Sequence, residues 1–118
     1  MVEEFTDELR SLAGDELRAV ATFGKLDYEL AFVRDDVSEG YNRGDLDDLY
    51  RTLVSDRIAN DDIDQQLPGG EQQARIKVFE DVIVVIIPIG RYEGVFVSLD
   101  RGPDSPVLDI VDAAEATL

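Results

Sequence analysis

Histidine and cysteine are absent from this 118-residue chain, and basic side chains are scarce, eleven Lys and Arg against twenty-seven Asp and Glu. Each absence excludes chemistry. Without cysteine there is no disulfide, no thiolate nucleophile and no Cys-ligated metal. Without histidine the usual general base and the commonest zinc ligand are missing. Long apolar runs are missing too. The longest, Val82 to Ile89, contains Pro88 and falls far short of the ~20 residues a membrane-spanning helix needs. The start, Met1-Val2-Glu3-Glu4, is acidic and opens no apolar run, so no secretory signal is expected and the expected location is cytoplasmic.

What is present is a formal charge of −16 beside an ordinary hydrophobic fraction of 44%. That fraction supports one hydrophobic core in a single domain over residues 1–118. In dilute buffer such a charge repels itself, whereas molar salt shortens the screening length to roughly 3 Å. Carboxylates also keep a surface hydrated. The composition therefore points to the cytoplasm of a salt-accumulating halophile, and to a surface repelled by nucleic acid and anionic lipid. A DNA mimic should gather its charge on one face, but here acids occupy every segment. A calcium buffer should show loop ligands at fixed offsets, and Asn60-Asp61-Asp62-Ile63-Asp64 lacks the glycine and closing glutamate of such a loop. No metal or cofactor is expected.

Periodicity defines the elements. Val2, Phe5, Leu9 and Leu12 form one helical stripe that Gly14 ends. Leu17, Ala19, Ala21 and Phe23 alternate on one strand face. Tyr28, Leu30 and Phe32 do so on the next, with Gly24-Lys25-Leu26-Asp27 as the hairpin loop. Leu46, Leu49, Leu53, Val54 and Ile58 predict a helix capped by Asp45. After the Pro68-Gly69-Gly70 break come a strand of alternating Ala74, Ile76 and Val78, the apolar run Val82–Ile89 as a central strand, and a strand over Val95–Leu99. A last helix follows, with Ser105 as cap, Pro106 at its first position, and Val107, Leu108, Ile110, Val111 and Ala114 inward. The order is α-β-β-α-β-β-β-α. An apolar run with no alternation requires cover on both sides, so the expected fold is α+β, a single five-stranded antiparallel sheet with helices on both faces.

That order and those element lengths resemble the roadblock/LC7 fold, close to profilin and longin architectures. The segments Ala13-Gly14-Asp15-Glu16-Leu17-Arg18, Arg34-Asp35-Asp36-Val37, Phe79-Glu80-Asp81 and Glu93-Gly94-Val95 are similar to a family of small acidic haloarchaeal proteins of unknown function. The roadblock resemblance implies a homodimer formed by pairing the strand after the glycine break and packing the adjacent long helix. It also implies partners such as a small GTPase or a scaffold.

Catalytic constellations are missing. Pro68-Gly69-Gly70-Glu71 lacks the lysine and hydroxyl of a phosphate loop. Asp35/Asp36 and Glu80/Asp81 are turn-forming pairs in a background rich in acids. Ser98 and Ser105 have neither histidine nor a nearby lysine. The scarce residues carry more information. Arg75, Lys77 and Phe79 share one side of what the resemblance makes an edge strand, where charge either protects the edge or meets acids such as Asp47, Asp48 or Asp56 of a second copy. Tyr41, Tyr50 and Tyr92 suit an interface, having large area and a polar end. Arg75, Lys77, Phe79, Asp47, Tyr50 and Tyr92 are thus the candidate dimer or partner surface. A non-catalytic interaction or regulatory domain is the expected function. A small-ligand sensor of profilin- or PAS-like shape, with a pocket lined by Tyr28, Phe32 or Phe96, and a carboxylate-dependent enzyme are the alternatives.

Overall fold

The computed structural model describes residues 2–24, 27–40, 42, 44–52, 69–89 and 93–118. Helix α1 (Val2–Ala13) buries Phe5 and Leu9 completely, as their four-residue spacing requires. Gly14, at φ +56°, ends it in the left-handed conformation that favours glycine. A 3-10 turn, Gly14–Glu16, leads into β1 (Leu17–Phe23) and β2 (Tyr28–Val33). Helix α2 (Asp35–Gly40) and helix α3 over residues 44–52 follow. Then come β3 (Arg75–Val78), β4 (Val82–Pro88), β5 (Gly94–Asp100) and α4 (Val107–Thr117).

The five strands run in the order β2-β1-β5-β4-β3, every neighbour antiparallel. Helices α1 and α4 cover one face, where Phe5, Leu9, Val20, Val85, Val97, Leu99 and Ile110 meet. On the other face Leu49 and Tyr50 of α3 pack with Phe23, Ile86, Val84 and Phe96. Strand β4 therefore buries Val85 towards one side and Ile86 towards the other, which is why its sequence shows no alternation. The middle strand, however, is β5; β4 lies one place from the edge. Helix α2 is a short extra element beyond the expected order.

Two bulges overturn the strand faces expected from alternation. Leu17 pairs with Leu99 and Ala19 with Ser98, leaving Arg18 as an extra residue in β1. Val20 pairs with Phe32 and Ala21 with Leu30, leaving Ala31 extra in β2. An extra residue switches every later side chain to the opposite face. Leu17 accordingly joins the α1/α4 core while Phe23 joins the α3 side. In the same way Phe32 and Tyr28 end on different sides.

The caps also differ from expectation. Asn42 Oδ1 accepts from the Asp45 N–H at 2.9 Å, and Asp45 Oδ2 accepts from the Asn42 N–H at 3.1 Å. The reciprocal pair makes Asn42 the cap and Asp45 its partner three residues on. Ser105 instead closes a turn: its Oγ accepts from the Gly102 N–H at 3.0 Å, and α4 starts at Val107. Leu108, expected inward, is 73% exposed. It lies on the flank of the helix, about a third of a turn from the centre of the side holding Ile110, Val111 and Ala114, which face the sheet.

Candidate interaction surface

Among the described residues strand β3 has a neighbour on one side only, so its other side is an edge of the sheet they form. Its pairing with β4 is regular from Arg75↔Ile86 to Val78↔Ile83. The turn that follows is closed by the Phe79 N–H donating to the Val82 carbonyl at 2.8 Å. Antiparallel pairs alternate between bonded and non-bonded. Phe79 being bonded to β4, Lys77 and Arg75 are bonded to it as well, and Ile76 and Val78 turn their N–H and C=O groups outward. Arg101 steadies the end of the strand, its N–H donating to the Asp81 carbonyl at 2.9 Å and its guanidinium to the Phe79 carbonyl at 3.1 Å.

The side chains of β3 divide by face. Ile76 and Val78 lie opposite Val85 and Ile83, on the α1/α4 side, yet are 42% and 58% exposed. Arg75 and Lys77 lie opposite Ile86 and Val84, on the α3 side. The Arg75 Nε donates to Gln72 Oε1 at 3.0 Å. Phe79, just past the strand, is exposed.

Asp47 and Tyr50 stand elsewhere in the chain. Tyr28 Oη donates to Asp47 Oδ1 at 2.8 Å, Tyr50 Oη donates to the Gly24 carbonyl, and the two tyrosine rings sit 5.6 Å apart. These contacts fasten α3 to the β1–β2 hairpin. Strand β2 is four strand spacings from β3, about 19 Å, so one chain does not unite Asp47 and Tyr50 with Arg75, Lys77 and Phe79. Tyr92, like Tyr41 and Asp56, lies outside the described residues. Tyr28 and Phe96 pack in the α3-side cluster while Phe32 packs against the α1/α4 core beneath Arg10, so these three rings line no common ligand pocket. The cleft beside the start of α1, lined by Val2, Glu3, Thr22, Glu29, Leu30 and Ala31, contains none of them.

An ion-pair cluster escaped sequence reasoning altogether. Arg34 Nη1 reaches Asp100 Oδ2 at 2.6 Å and the Asp15 carbonyl at 2.8 Å, while its Nε reaches Asp36 Oδ1 at 2.6 Å. Arg18, the bulge residue, donates to Asp100 Oδ1 at 3.3 Å. The cluster binds the ends of β1, β2 and β5 to the start of α2. Hydrogen bonds from Arg34 hold the carboxyls of Asp100 and Asp36 below the usual range, Arg18 adding to the effect at Asp100. A carboxyl with a lowered folded pKa stabilises the fold fully above its unfolded value of about 3.9, and the contribution is lost as pH falls through the folded pKa. The Asp100 side chain is 40% exposed, so solvent screens the interaction, and Asp100→Asn is expected to cost about 1 kcal/mol near neutral pH. Urea titrations of both proteins across pH 2–7 check this. The gap must narrow below about pH 4, and a gap independent of pH would contradict it.

Among the described residues no group of acids is arranged to hold a metal ion, and no helix is long and apolar enough to cross a membrane. An open sheet edge bordered by exposed apolar side chains is the feature best suited to binding another chain.

Comparison with known proteins defines the class. The chain belongs to the family described as a domain of unknown function, DUF7522, whose profile matches residues 3–118. Its fold is roadblock-like: it superposes on a solved structure of MglB with tetrameric arrangement at a TM-score of 0.65, with 16% identity, covering 98% of this chain and 79% of that one. No curated protein matches it in sequence.

Proposed function

We propose that this chain is a non-catalytic interaction or regulatory domain that acts as a homodimer joined along β3 in the salt-rich cytoplasm of a halophile. The observation that carries the proposal is the contrast between its two sheet edges. The β2 edge is interrupted by the Ala31 bulge, which twists an edge away from pairing. The β3 edge is regular, turns two residues' polar backbone groups outward and is bordered by apolar side chains. Arg75 and Lys77 help choose the register. Only outward residues pair with outward residues across a two-fold axis, so the axis falls at Ile76, Lys77 or Val78. At Ile76 it opposes Arg75 to the second copy's Lys77, and at Lys77 it opposes lysine to lysine. Both placements set like charges against each other. At Val78 it opposes Lys77 to Phe79 and leaves Arg75 level with the acidic Glu80–Asp81 turn, so no like charges face each other. The self-association of MglB supports a dimer-based assembly, and a further protein partner, such as a small GTPase or a scaffold, is the expected client.

Light scattering in 2–3 M KCl is expected to give twice the 13.1 kDa chain mass. Because the chain has no cysteine, single replacements report the register: Val78→Cys should cross-link on oxidation, and Glu29→Cys on the β2 edge should not. A monomer at every concentration would overturn the proposal.

The halophile assignment has its own test. With a formal charge of −16, the melting temperature is expected to drop as KCl is lowered below about 0.5 M, where the screening length exceeds ~4 Å. A melting temperature that ignores salt would refute it.

A further inference from the structure

Beside the β3 edge, on the face away from Arg75 and Lys77, lies an exposed apolar stripe that pairing of backbones does not explain. Ile76 and Val78 contribute 42% and 58% exposed side chains, and Leu108 of α4 contributes one at 73%. Their proximity follows from one hydrogen bond. Gln73 Nε2 donates to Glu115 Oε1 at 3.0 Å, which fixes the C-terminal end of α4 over the residues entering β3. Arg101, just before α4, bonds the Phe79 carbonyl at the other end of β3, so the helix and the strand run antiparallel. Leu108 is seven residues before Glu115, on the same flank and about 10 Å back along the axis. Ile76 is three residues after Gln73, also about 10 Å on. Leu108 therefore stands level with Ile76, and the three side chains form one strip.

The wall of that strip is acidic. Asp112 and Glu115 share the flank of Leu108 and are exposed, and α4 (VLDIVDAAEAT) carries no lysine or arginine. We infer that the Ile76–Val78–Leu108 strip, walled by Asp112 and Glu115, is a docking groove for an amphipathic helix of a partner protein whose polar face is basic. Apolar residues spaced three and four apart on that helix would cover the strip, and its flanking Lys or Arg would meet the acids of α4. The rival occupant, a second pair of these chains packed face to face, sets acidic wall against acidic wall, a juxtaposition that like charges oppose. In molar salt the charges act at short range only, so burial of the strip supplies the affinity and the acids select the partner's sign. One copy already carries the strip. Its doubling, two strips side by side between two copies of α4, rests on the β3 dimer proposed above.

The probe is a synthetic 18-residue peptide with leucines at helical three- and four-residue spacing and lysines elsewhere, compared with a scrambled peptide of the same composition. Binding is read by fluorescence anisotropy in 1 M KCl, with the protein's mass read in parallel by light scattering. The ordered peptide is expected to bind at least tenfold tighter than the scrambled one. Leu108→Asp is expected to weaken it at least tenfold without changing the protein's mass, and Val78→Thr, which keeps the outward backbone N–H, is expected to weaken it as well. Equal binding of the two peptides, or binding indifferent to both substitutions, would overturn the inference. A fall in mass on Leu108→Asp would overturn it too, by assigning the strip to contact between copies. The dimer proposal fails separately: a monomeric mass with peptide binding intact removes the dimer and leaves the groove.

Discussion

Val78→Pro is expected to convert the protein into a folded monomer. The backbone N–H of Val78 points away from β4, so proline at this position deletes a donor from the open edge without removing a rung between β3 and β4. Lys77, which precedes it, is already extended, the conformation a residue before proline prefers. Across a two-fold axis the loss is doubled. Each lost hydrogen bond costs about 1–1.5 kcal/mol and leaves an acceptor facing no donor. A total near 3 kcal/mol raises the dimer dissociation constant roughly 100-fold. Light scattering over a concentration series in 2 M KCl measures the shift, and circular dichroism confirms that the sheet persists. Ile76→Pro is the companion variant, since its N–H also faces outward. If both variants stay dimeric with unchanged dissociation constants, the chains do not join along β3.

Gly94→Ala is expected to destabilise the monomer fold by about 3 kcal/mol. Gly94 opens β5 between Phe23 of β1 and Pro88 of β4. A Cβ there would lie 2.6 Å from Phe23 Cζ and 2.7 Å from the Ile87 carbonyl oxygen. The ring of Phe23 lies over the bare backbone of Gly94 and is itself buried, so it has no free space to enter. The carbonyl belongs to the neighbouring strand and yields only if the sheet opens. Urea denaturation in 2 M KCl gives the loss directly. Phe23→Leu combined with Gly94→Ala should recover part of the energy, because it removes the ring and leaves the carbonyl conflict. A change below about 0.5 kcal/mol for Gly94→Ala would mean that the strands are not packed as described.

The elements that could be read from the chain are those whose signal is local. The stripe of Phe5 and Leu9 depends on α1 alone, and the apolar run of β4 announces cover on both faces whatever provides it. The bulges at Arg18 and Ala31 are invisible in this way. Each arises from registering one strand against another, and the alternating pattern of Leu17 to Phe23 reads equally well without them. The Arg34–Asp100 pair joins residues 66 apart in the chain, and with acids everywhere no local pattern distinguishes Asp100 from its neighbours. Leu108 was misplaced because the first turn of a helix has few residues from which to find a period, and its neighbours Val107 and Ile110 are apolar as well. Of the candidate surface, Arg75 and Lys77 fall on one side of β3 because parity fixes it, and Phe79 follows just past the strand's end. Asp47 and Tyr50 go to the hairpin instead, drawn by hydrogen bonds to Tyr28 and Gly24 that composition could not reveal.

The kink at Ala31 also sets a limit on size. A protein with two equally good sheet edges can add copies at both ends without stopping, which is the route to fibres. In the dimer proposed above, a two-fold join would use up the regular β3 edge of each copy, and the ten-stranded sheet would end on both sides in a bulged β2. Growth would then terminate after a single step. One extra residue in the second strand would keep a concentrated solution of such dimers from becoming a filament.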